Sequence, residues 1–471
     1  MTSEDKVLGW GELLSPEYRV PTLTLALSIA LHATNFFIFA TLSPSVVADI
    51  GGLDLLSWAT TLFVVSSIVS SAAGGILKAM LGARKSMLLA AFGFGLGSAV
   101  TAVAPDMEIV LIGRTIQGLG AGLLTAYSHG MVRDLFPPAS WARMFAVVSG
   151  GWGIAALAGP LIGGIFAEYD IWRWGFGTML IAAGLFIVLA LRAIPGGGGG
   201  EKVGGWTPVL RLALLGVSAL LLGATGKLQI PGGEISTLAL SAACFVITVV
   251  LERGAAIPLF PRDTFRPTTV LGAGVLFVFG VTFATATTSI YGPLLFRVIH
   301  DIPIITTGFI VTAQSMFWTI AAITFSGIGR GGARAACAIG PTITCIGILG
   351  VGVFLPAGPL WAAVISISTI GFGIGLSWGH VGRFVLEAAG EADRNRVTSV
   401  MPTMQSIGVA FGSAAAGLVA NANGFSQALT VETAKSVAFW IYVGLSPALL
   451  IAVFGGARVA LGTKAMAGDE A

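Results

Sequence analysis

LIGRTIQGLGAGLLTA, residues 111–126, is apolar enough to cross a membrane yet carries one full charge, Arg114. Gln117 follows three residues later on the same face of a helix, and glycines stand at positions 118, 120 and 122. A charge at membrane depth costs about 2.5–3.5 kcal/mol on insertion scales, so it should face a polar cavity or a protein partner rather than lipid. We therefore predict that Arg114 and Gln117 are functional, unless Arg114 only anchors its helix to a neighbouring loop or backbone carbonyl.

The rest of the chain is similarly apolar. Its 471 residues are 55% hydrophobic and 10% charged, with a mean hydropathy of +0.91, whereas about 25% of the residues in soluble domains are charged. These values predict an all-α integral membrane protein. The net charge of +3 comes without a basic cluster long enough to bind nucleic acid. No phosphate-loop or metal-ligand spacing occurs, so we expect no cofactor and no metal.

Hydrophobic segments predict how often the chain crosses the bilayer, since one span needs about twenty apolar residues. Fourteen segments qualify, in a pattern of six, two and six, with the glycine run 196–200 after the sixth. They are 22–46, 56–79, 86–104, 108–130, 143–166 and 174–193, then 207–224 and 235–251, then 268–294, 304–327, 335–355, 359–383, 399–420 and 436–457. The predicted parts are a tail (1–21), a six-helix half (22–193), a linker with two inserted spans (194–267), a second half (268–457) and a tail (458–471).

The positions of the lysines and arginines predict the orientation, because cytoplasmic loops are enriched in them. With the N-terminus inside, inner loops and tails hold 20 of the 25 basic residues, outer loops hold four, and Arg114 lies within a span. We therefore expect a multi-pass protein of the inner (plasma) membrane with both termini in the cytoplasm. None of the 22 acidic residues falls deep in a predicted span, so no carboxylate is expected at mid-depth.

The fifth span contains GGWGIAALAGPLIGG, residues 150–164, in which Pro160 is preceded by Gly159 and followed by Gly163 and Gly164. Proline leaves a carbonyl one turn back without a partner, and glycines let another helix approach closely. This combination predicts a bent, tightly packed helix that could rearrange during a functional cycle. Ordinary small-residue packing is the alternative.

These motifs resemble the major facilitator superfamily. The segment LIGRTIQGLGAG resembles its arginine-containing fourth-helix motif, and GPLIGG resembles the fifth-helix motif of its antiporters. With fourteen spans, the chain is most similar to the drug:proton antiporter branch, which inserts two helices between its halves. The resemblance implies a major-facilitator-type bundle whose halves rock about a substrate site near the midplane.

Two positions depart from the family pattern. GGILKAMLGARKSML, residues 74–88, is similar to the signature Gly-x-Leu-Ala-Asp-Arg-x-Gly-Arg-Arg and keeps Gly75, Gly82 and Arg84, but Ala79 replaces its Asp. The resemblance implies an inner-gate lock that is weakened here or rebuilt from other residues. In the first span, Asn35 stands where a proton-titrating Asp is usual in the family, and an amide cannot titrate.

Histidines are the remaining candidates for carrying protons. His32 lies one turn before Asn35 on the same helical face, and a titrating role competes with simple hydrogen bonding within a helix pair. His380 is the second candidate, although solvation near the membrane edge is favoured for it. His129 and His300, near loops, are expected to be solvated.

The sequence predicts a secondary active transporter that exports small amphipathic or drug-like molecules. It leaves open whether transport is coupled to protons. Tyr291, Gln314 and Gln405 are candidate cavity residues, because an apolar cavity with few polar anchors suits such cargo. With no acid expected near Arg114, neutral or anionic cargo is favoured over organic cations. The alternatives are an uncoupled carrier of an anionic or neutral metabolite and, less favoured, a transporter-like sensor. An enzyme would need clustered titratable groups, which the sequence lacks.

Overall fold

The structure, a computed structural model, describes residues 8–52, 55–200, 207–225, 233–302, 304–393, 395–425 and 430–468. Parts of the predicted tails and of the predicted linker (1–7, 201–206, 226–232 and 469–471) lie outside these ranges. The described residues form helices and connecting loops, without strands. The long helices are α1 (Arg19–Ile50), α2 (Leu56–Leu81), α3 (Ala83–Ala102), α4 (Met107–Gly130), α5 (Trp141–Glu168), α6 (Trp172–Ala193), α7 (Thr207–Ala224), α8 (Gly233–Arg253), α9 (Val270–His300), α10 (Ile304–Phe325), α11 (Arg330–Ala357), α12 (Leu360–Ala388), α13 (Val400–Ala422) and α14. Helix α14 starts as Val431–Phe439, continues through π-helical Trp440–Gly444 and the short 3-10 turn Ser446–Ala448, and ends as Leu449–Gly468.

Each predicted span coincides with one of these helices. Twelve of them, within the described residues, are long and apolar enough to cross a membrane. Helices α7 and α10 contain shorter apolar stretches, Pro208–Ala224 and Phe309–Phe325. An all-α, multi-pass membrane bundle is therefore confirmed, whereas the count of fourteen crossings stays a prediction.

The two halves, α1–α6 and α9–α14, pack by the same scheme. In the first half α4 contacts α1, α2 and α3, α5 packs on α1, and α6 contacts α1 and α3. In the second half α12 contacts α9, α10 and α11, α13 packs on α9, and α14 contacts α9 and α11. The halves are thus structural repeats related by a shift of eight helices in the chain.

Two seams join the halves. Along one seam α5 contacts α10 and α12, and along the other α2 and α4 contact α13. Helices α7 and α8 pack on each other and against α2 and α13, so the inserted pair lies beside the second seam.

Glycines in α4 explain its central position. A Cβ atom on Gly118 would lie 2.4 Å from the carbonyl oxygen of Phe63, and one on Gly122 would lie 2.2 Å from that of Ser67, both in α2. On the other side, a Cβ on Gly120 would lie 2.3 Å from the backbone nitrogen of Phe94 in α3. The glycines of the stretch 111–126 therefore allow backbone-to-backbone packing with two helices at once.

Candidate functional site

A cavity of about 1010 Å³ lies between the two halves. Its wall is formed by α1, α2, α4 and α5 of the first half, α9, α10 and α13 of the second, and the inserted helices α7 and α8. Aromatic side chains make up much of it: Phe36, Phe37, Phe63, Trp152, Tyr291 and Trp318. The cavity runs from the level of Gln405 to the start of α8, where Glu234 lies, and to the last turn of α13, where Asn421 lies.

Four residues predicted to contact cargo or protons line this cavity: His32, Tyr291, Gln314 and Gln405. Within the described part of the chain, Nδ1 of His32 and Oε1 of Gln314 have no hydrogen-bond partner. Nε1 of Trp318, next to them in the wall, is also unpaired there. Buried polar atoms normally have partners, so these three atoms are exceptions that a change in the cavity wall could expose to water or to a bound molecule.

Arg114 is fully buried and lies outside the cavity wall. Its guanidinium carbon stands 4.1 Å from the ring centre of Phe63 and 4.3 Å from that of Phe39. Nη1 donates to Oε1 of Gln117 at 2.8 Å, and Nη2 has no partner among the described residues. The charge is therefore held between two aromatic faces, an arrangement that stabilises a desolvated cation.

Gln117 connects this arginine to α1 and α3. Its Nε2 donates to Oδ1 of Asn35 at 3.0 Å and to Oγ of Ser98 at 2.8 Å. Gln117 and Asn35 are fully buried and, like Arg114, do not line the cavity. Phe63 lies between the network and the cavity, because its ring contacts Arg114 and also forms part of the wall. The expected fixed positive charge is thus beside the cavity rather than in its wall.

Glu234, at the start of α8, is a cavity residue that the sequence analysis missed. No carboxylate was expected at mid-depth, and Glu234 lies instead at the end of the cavity, because helix α8 starts at Gly233 and carries this carboxylate into the wall. Among the described lining residues it is the one carboxylate, and no lysine or arginine is present. The preference for neutral or anionic cargo loses the arginine in the wall on which it partly rested, and the carboxylate at the end of the cavity opposes anionic cargo.

Three histidines lie outside the cavity, and two of them, His380 and His129, are more buried than expected. His380 is 2% exposed, and its Nε2 lies 2.9 Å from the carbonyl oxygen of Phe325, so solvation at the membrane edge is wrong. His129 is 5% exposed, with Nδ1 at 2.9 Å from the carbonyl oxygen of Thr125, and is not solvated either. His300 is half-buried, with Nε2 at 3.1 Å from the carbonyl oxygen of Leu355. His129 pairs within its own helix, whereas His380 and His300 pair with carbonyls of neighbouring helices.

We call the end of the bundle where α1 starts the tail end and the opposite one the far end. At the tail end the halves touch. Arg133, after α4, donates to the carbonyl oxygen of Ala389 at 2.7 Å and to Oε1 of Glu391 at 2.8 Å, both after α12. A Cβ on Gly75 would lie 2.9 Å from Cα of Arg396, just before α13. The cavity is therefore closed at this end.

The segment 74–88, where α2 ends and α3 begins, has charged contacts despite its missing Asp. Lys78, one residue before Ala79, pairs with Asp134 at 2.5 Å, with side-chain exposures of 5% and 15%. Nε of Arg84 donates to the carbonyl oxygen of Ile194, at the end of α6, at 2.6 Å. Gly82 has φ of 81°, a left-handed conformation that favours glycine, and packs on the backbone of the glycine run.

Helix α5 remains helical through Pro160, which lines the cavity. A Cβ on Gly159 would lie 2.4 Å from Cβ of Phe37, and one on Gly163 would lie 2.9 Å from Cβ of Thr41, both in α1. Gly164 has nothing within 4 Å of the corresponding position. Two of the three glycines therefore serve the contact between α5 and α1.

Comparison with known proteins agrees with this architecture. Residues 25–413 match the Major Facilitator Superfamily. The chain belongs to this superfamily. As a member of the superfamily it is a membrane transporter and not an enzyme.

Relatives within the superfamily include efflux proteins. The "Probable multidrug-efflux transporter Rv1634" of Mycobacterium tuberculosis (strain H37Rv) is 33% identical in an alignment 457 residues long that covers 91% of this chain and 95% of that protein. "Multidrug resistance protein 3" of Bacillus subtilis (strain 168) is 28% identical over 299 residues, which are 62% of this chain and 57% of that protein.

Solved superfamily structures share the fold. The human organic anion transporter MFSD10 (TETRAN) aligns with a TM-score of 0.67 at 16% identity, over 94% of this chain and 99% of that one. The proton:xylose symporter XylE, bound to 6-bromo-6-deoxy-D-glucose, aligns with a TM-score of 0.63 at 18% identity, over 93% of this chain and 95% of that one. The predicted major-facilitator-type bundle is confirmed.

Proposed function

We propose that the chain exports small, largely apolar molecules by alternating access between its two halves. The observation that supports this most is the cavity of about 1010 Å³ between them, with an aromatic wall and few polar groups. Pockets for drug-sized ligands are about 300–1,000 Å³ and are mostly apolar, with a few polar groups that fix orientation. The names of the two bacterial relatives, which specify multidrug efflux and multidrug resistance, favour the same cargo.

The proposal includes fourteen membrane crossings and thus the antiporter-like branch with two inserted helices. Helices α7 and α10 are 18 and 22 residues long, close to the roughly 20 residues that a bilayer needs. An even number of crossings brings both termini to the tail end. The excess of basic residues predicted for that end favours the cytoplasmic side of the plasma membrane. In this orientation the closed tail end faces the cytoplasm, and the cavity leads outward.

Residues around the cavity take different roles in this proposal. Gln314, Gln405 and Tyr291 contact cargo from the second half, and His32 contacts it from the first. The Arg114, Gln117 and Asn35 network holds α1, α3 and α4 in register and positions Phe63. The remaining predicted residues act where helices move against one another: Gly75, Gly82, Arg84, Gly159, Pro160, Gly163, Gly164 and His380.

We assign proton coupling to His32. Among the described lining residues it is the one histidine, the side chain whose ordinary pKa lies nearest neutral pH. Movement of cargo without protons, as in a uniporter, is the competing mode.

Proteoliposomes that contain the purified full chain test both parts. Efflux of radiolabelled chloramphenicol, a neutral amphipathic drug, should depend on the protein and should accelerate under an imposed pH gradient. His32→Ala should lose the acceleration, whereas His300→Ala, which changes a histidine outside the cavity, should keep it. Absence of protein-dependent efflux contradicts export, acceleration retained in His32→Ala removes His32 from coupling, and no acceleration in the wild type indicates uniport.

A further inference from the structure

We propose that Glu234, supplied by the inserted helix pair, binds the positively charged group of cationic cargo at the far end of the cavity. This inference rests on the proposed transport function and specifies its substrate class. It also gives the inserted pair α7 and α8 a role in selecting cargo, in addition to its contacts beside the seam.

The position of Glu234 makes its carboxylate accessible to cargo. It lies in the first turn of α8, where the wall of the cavity ends, and its side chain is half-buried. Oε1 accepts one hydrogen bond, from Nδ2 of Asn421 in α13 at 2.8 Å. A carboxylate can accept about four hydrogen bonds, so a single amide leaves room for an ammonium group or another cation.

The surrounding wall favours positive rather than negative cargo. No lysine or arginine is among the described lining residues, so nothing in the wall neutralises the carboxylate at close range. The guanidinium of Arg114 is separated from the cavity by Phe63. Tyr291 lines the wall on the same side, within T-shaped contact of Phe425 at 5.6 Å between ring centres, and offers an aromatic face. Aromatic faces and a carboxylate together are the groups that recognise organic cations.

A structural role is the competing explanation, because the hydrogen bond to Asn421 joins α8 to α13. The two roles differ in what they require. Cation binding needs the negative charge of Glu234, whereas a structural link needs the amide partner. Glu234→Gln removes the charge at constant size, and Asn421→Ala removes the partner while keeping the charge.

Two probes of nearly equal shape and opposite charge separate these roles: tetraphenylphosphonium and tetraphenylborate. Binding of each radiolabelled ion to the purified full chain is measured by a scintillation proximity assay. Glu234→Gln should weaken phosphonium binding about tenfold, the loss expected for one ion pair, without weakening borate binding. Asn421→Ala should keep the wild-type preference for the cation. Glu432→Gln, the same change at an exposed position of α14, should leave both affinities unchanged.

The inference is overturned if Glu234→Gln binds the phosphonium within twofold of the wild type, or if it weakens both ions equally. It is also overturned if Asn421→Ala abolishes the preference for the cation. Failure of the transport proposal is a separate result: no protein-dependent efflux of chloramphenicol, whatever the probes show. Normal chloramphenicol efflux together with unchanged phosphonium binding in Glu234→Gln rejects the cation site alone.

Discussion

Gln117 is the residue on which the buried polar network depends. It accepts a hydrogen bond from Arg114 and donates to Asn35 and Ser98, so one side chain pairs groups from three helices. We expect Gln117→Leu to remove these three hydrogen bonds, at a cost of roughly 3 kcal/mol in total. The midpoint of thermal inactivation of the purified protein should therefore fall by several degrees.

Thr115→Val provides the control for Gln117→Leu. Its hydroxyl donates to the carbonyl oxygen of Leu111 in its own helix, at 2.8 Å, and it has no part in the network. This variant should inactivate close to the wild-type temperature. Equal midpoints for Gln117→Leu and the wild type would mean that the network does not stabilise the fold.

Single residues were predictable from the sequence where the chemistry was exceptional. Arg114 was identifiable because one guanidinium in a long apolar run is rare. Gln117 was then indicated because it follows three residues later on the same helical face. Glu234 was not identifiable, because its partner Asn421 is 187 positions away and the predicted span began at residue 235. The burial of His129 and His380 was missed for the same reason, since neighbouring helices determine solvation.

At the scale of elements, the packing of α5 on α1 can be tested with a matched pair of glycines. Gly159→Ala would bring a methyl group to 2.4 Å from Cβ of Phe37, an atom that no rotamer change can move away. Such overpacking costs about 1–3 kcal/mol. The added Cβ of Gly164→Ala would have no neighbouring atom within 4 Å. Alanine also has a higher helix propensity than glycine.

We therefore expect Gly159→Ala to lower the inactivation midpoint and to slow chloramphenicol efflux from proteoliposomes. Gly164→Ala should match or exceed the wild type in stability and should transport at the same rate. If the two alanines behave alike, close contact between α5 and α1 is not what the glycines provide.

The existence of the helices was predictable from apolar length, but their irregularities were not all recognised. The π-helical Trp440–Gly444 segment of α14 precedes Pro447, which cannot donate a backbone hydrogen bond. The hydroxyl of Ser446 donates instead to the carbonyl oxygen of Val443 at 2.7 Å. The proline was visible in the sequence, and its effect on the helix could have been anticipated there.

At the scale of the whole molecule, the tail end is closed by contacts between residues that are far apart in the chain. Arg133 reaches Ala389 and Glu391, and Gly130 lies against Thr398. No periodicity in the sequence indicates these pairs, because they depend on how two separately folded halves meet. The family resemblance predicted two halves around a cavity, and the arrangement of the tail end had to come from the structure.

A reversible disulfide across this closure tests alternating access most directly. A Cβ on Gly130 would lie 2.4 Å from Cβ of Thr398, nearer than the roughly 3.5–4.5 Å between the Cβ atoms of a disulfide, so cysteines at both positions can form one once the two segments separate by about 1–2 Å. In proteoliposomes, oxidation of Gly130→Cys/Thr398→Cys should stop chloramphenicol efflux, and reduction should restore it. Oxidation should leave the efflux rates of the wild type and of each single variant unchanged. Undiminished efflux by the fully cross-linked protein would contradict the account, because cargo would then cross without separation of the halves at the tail end.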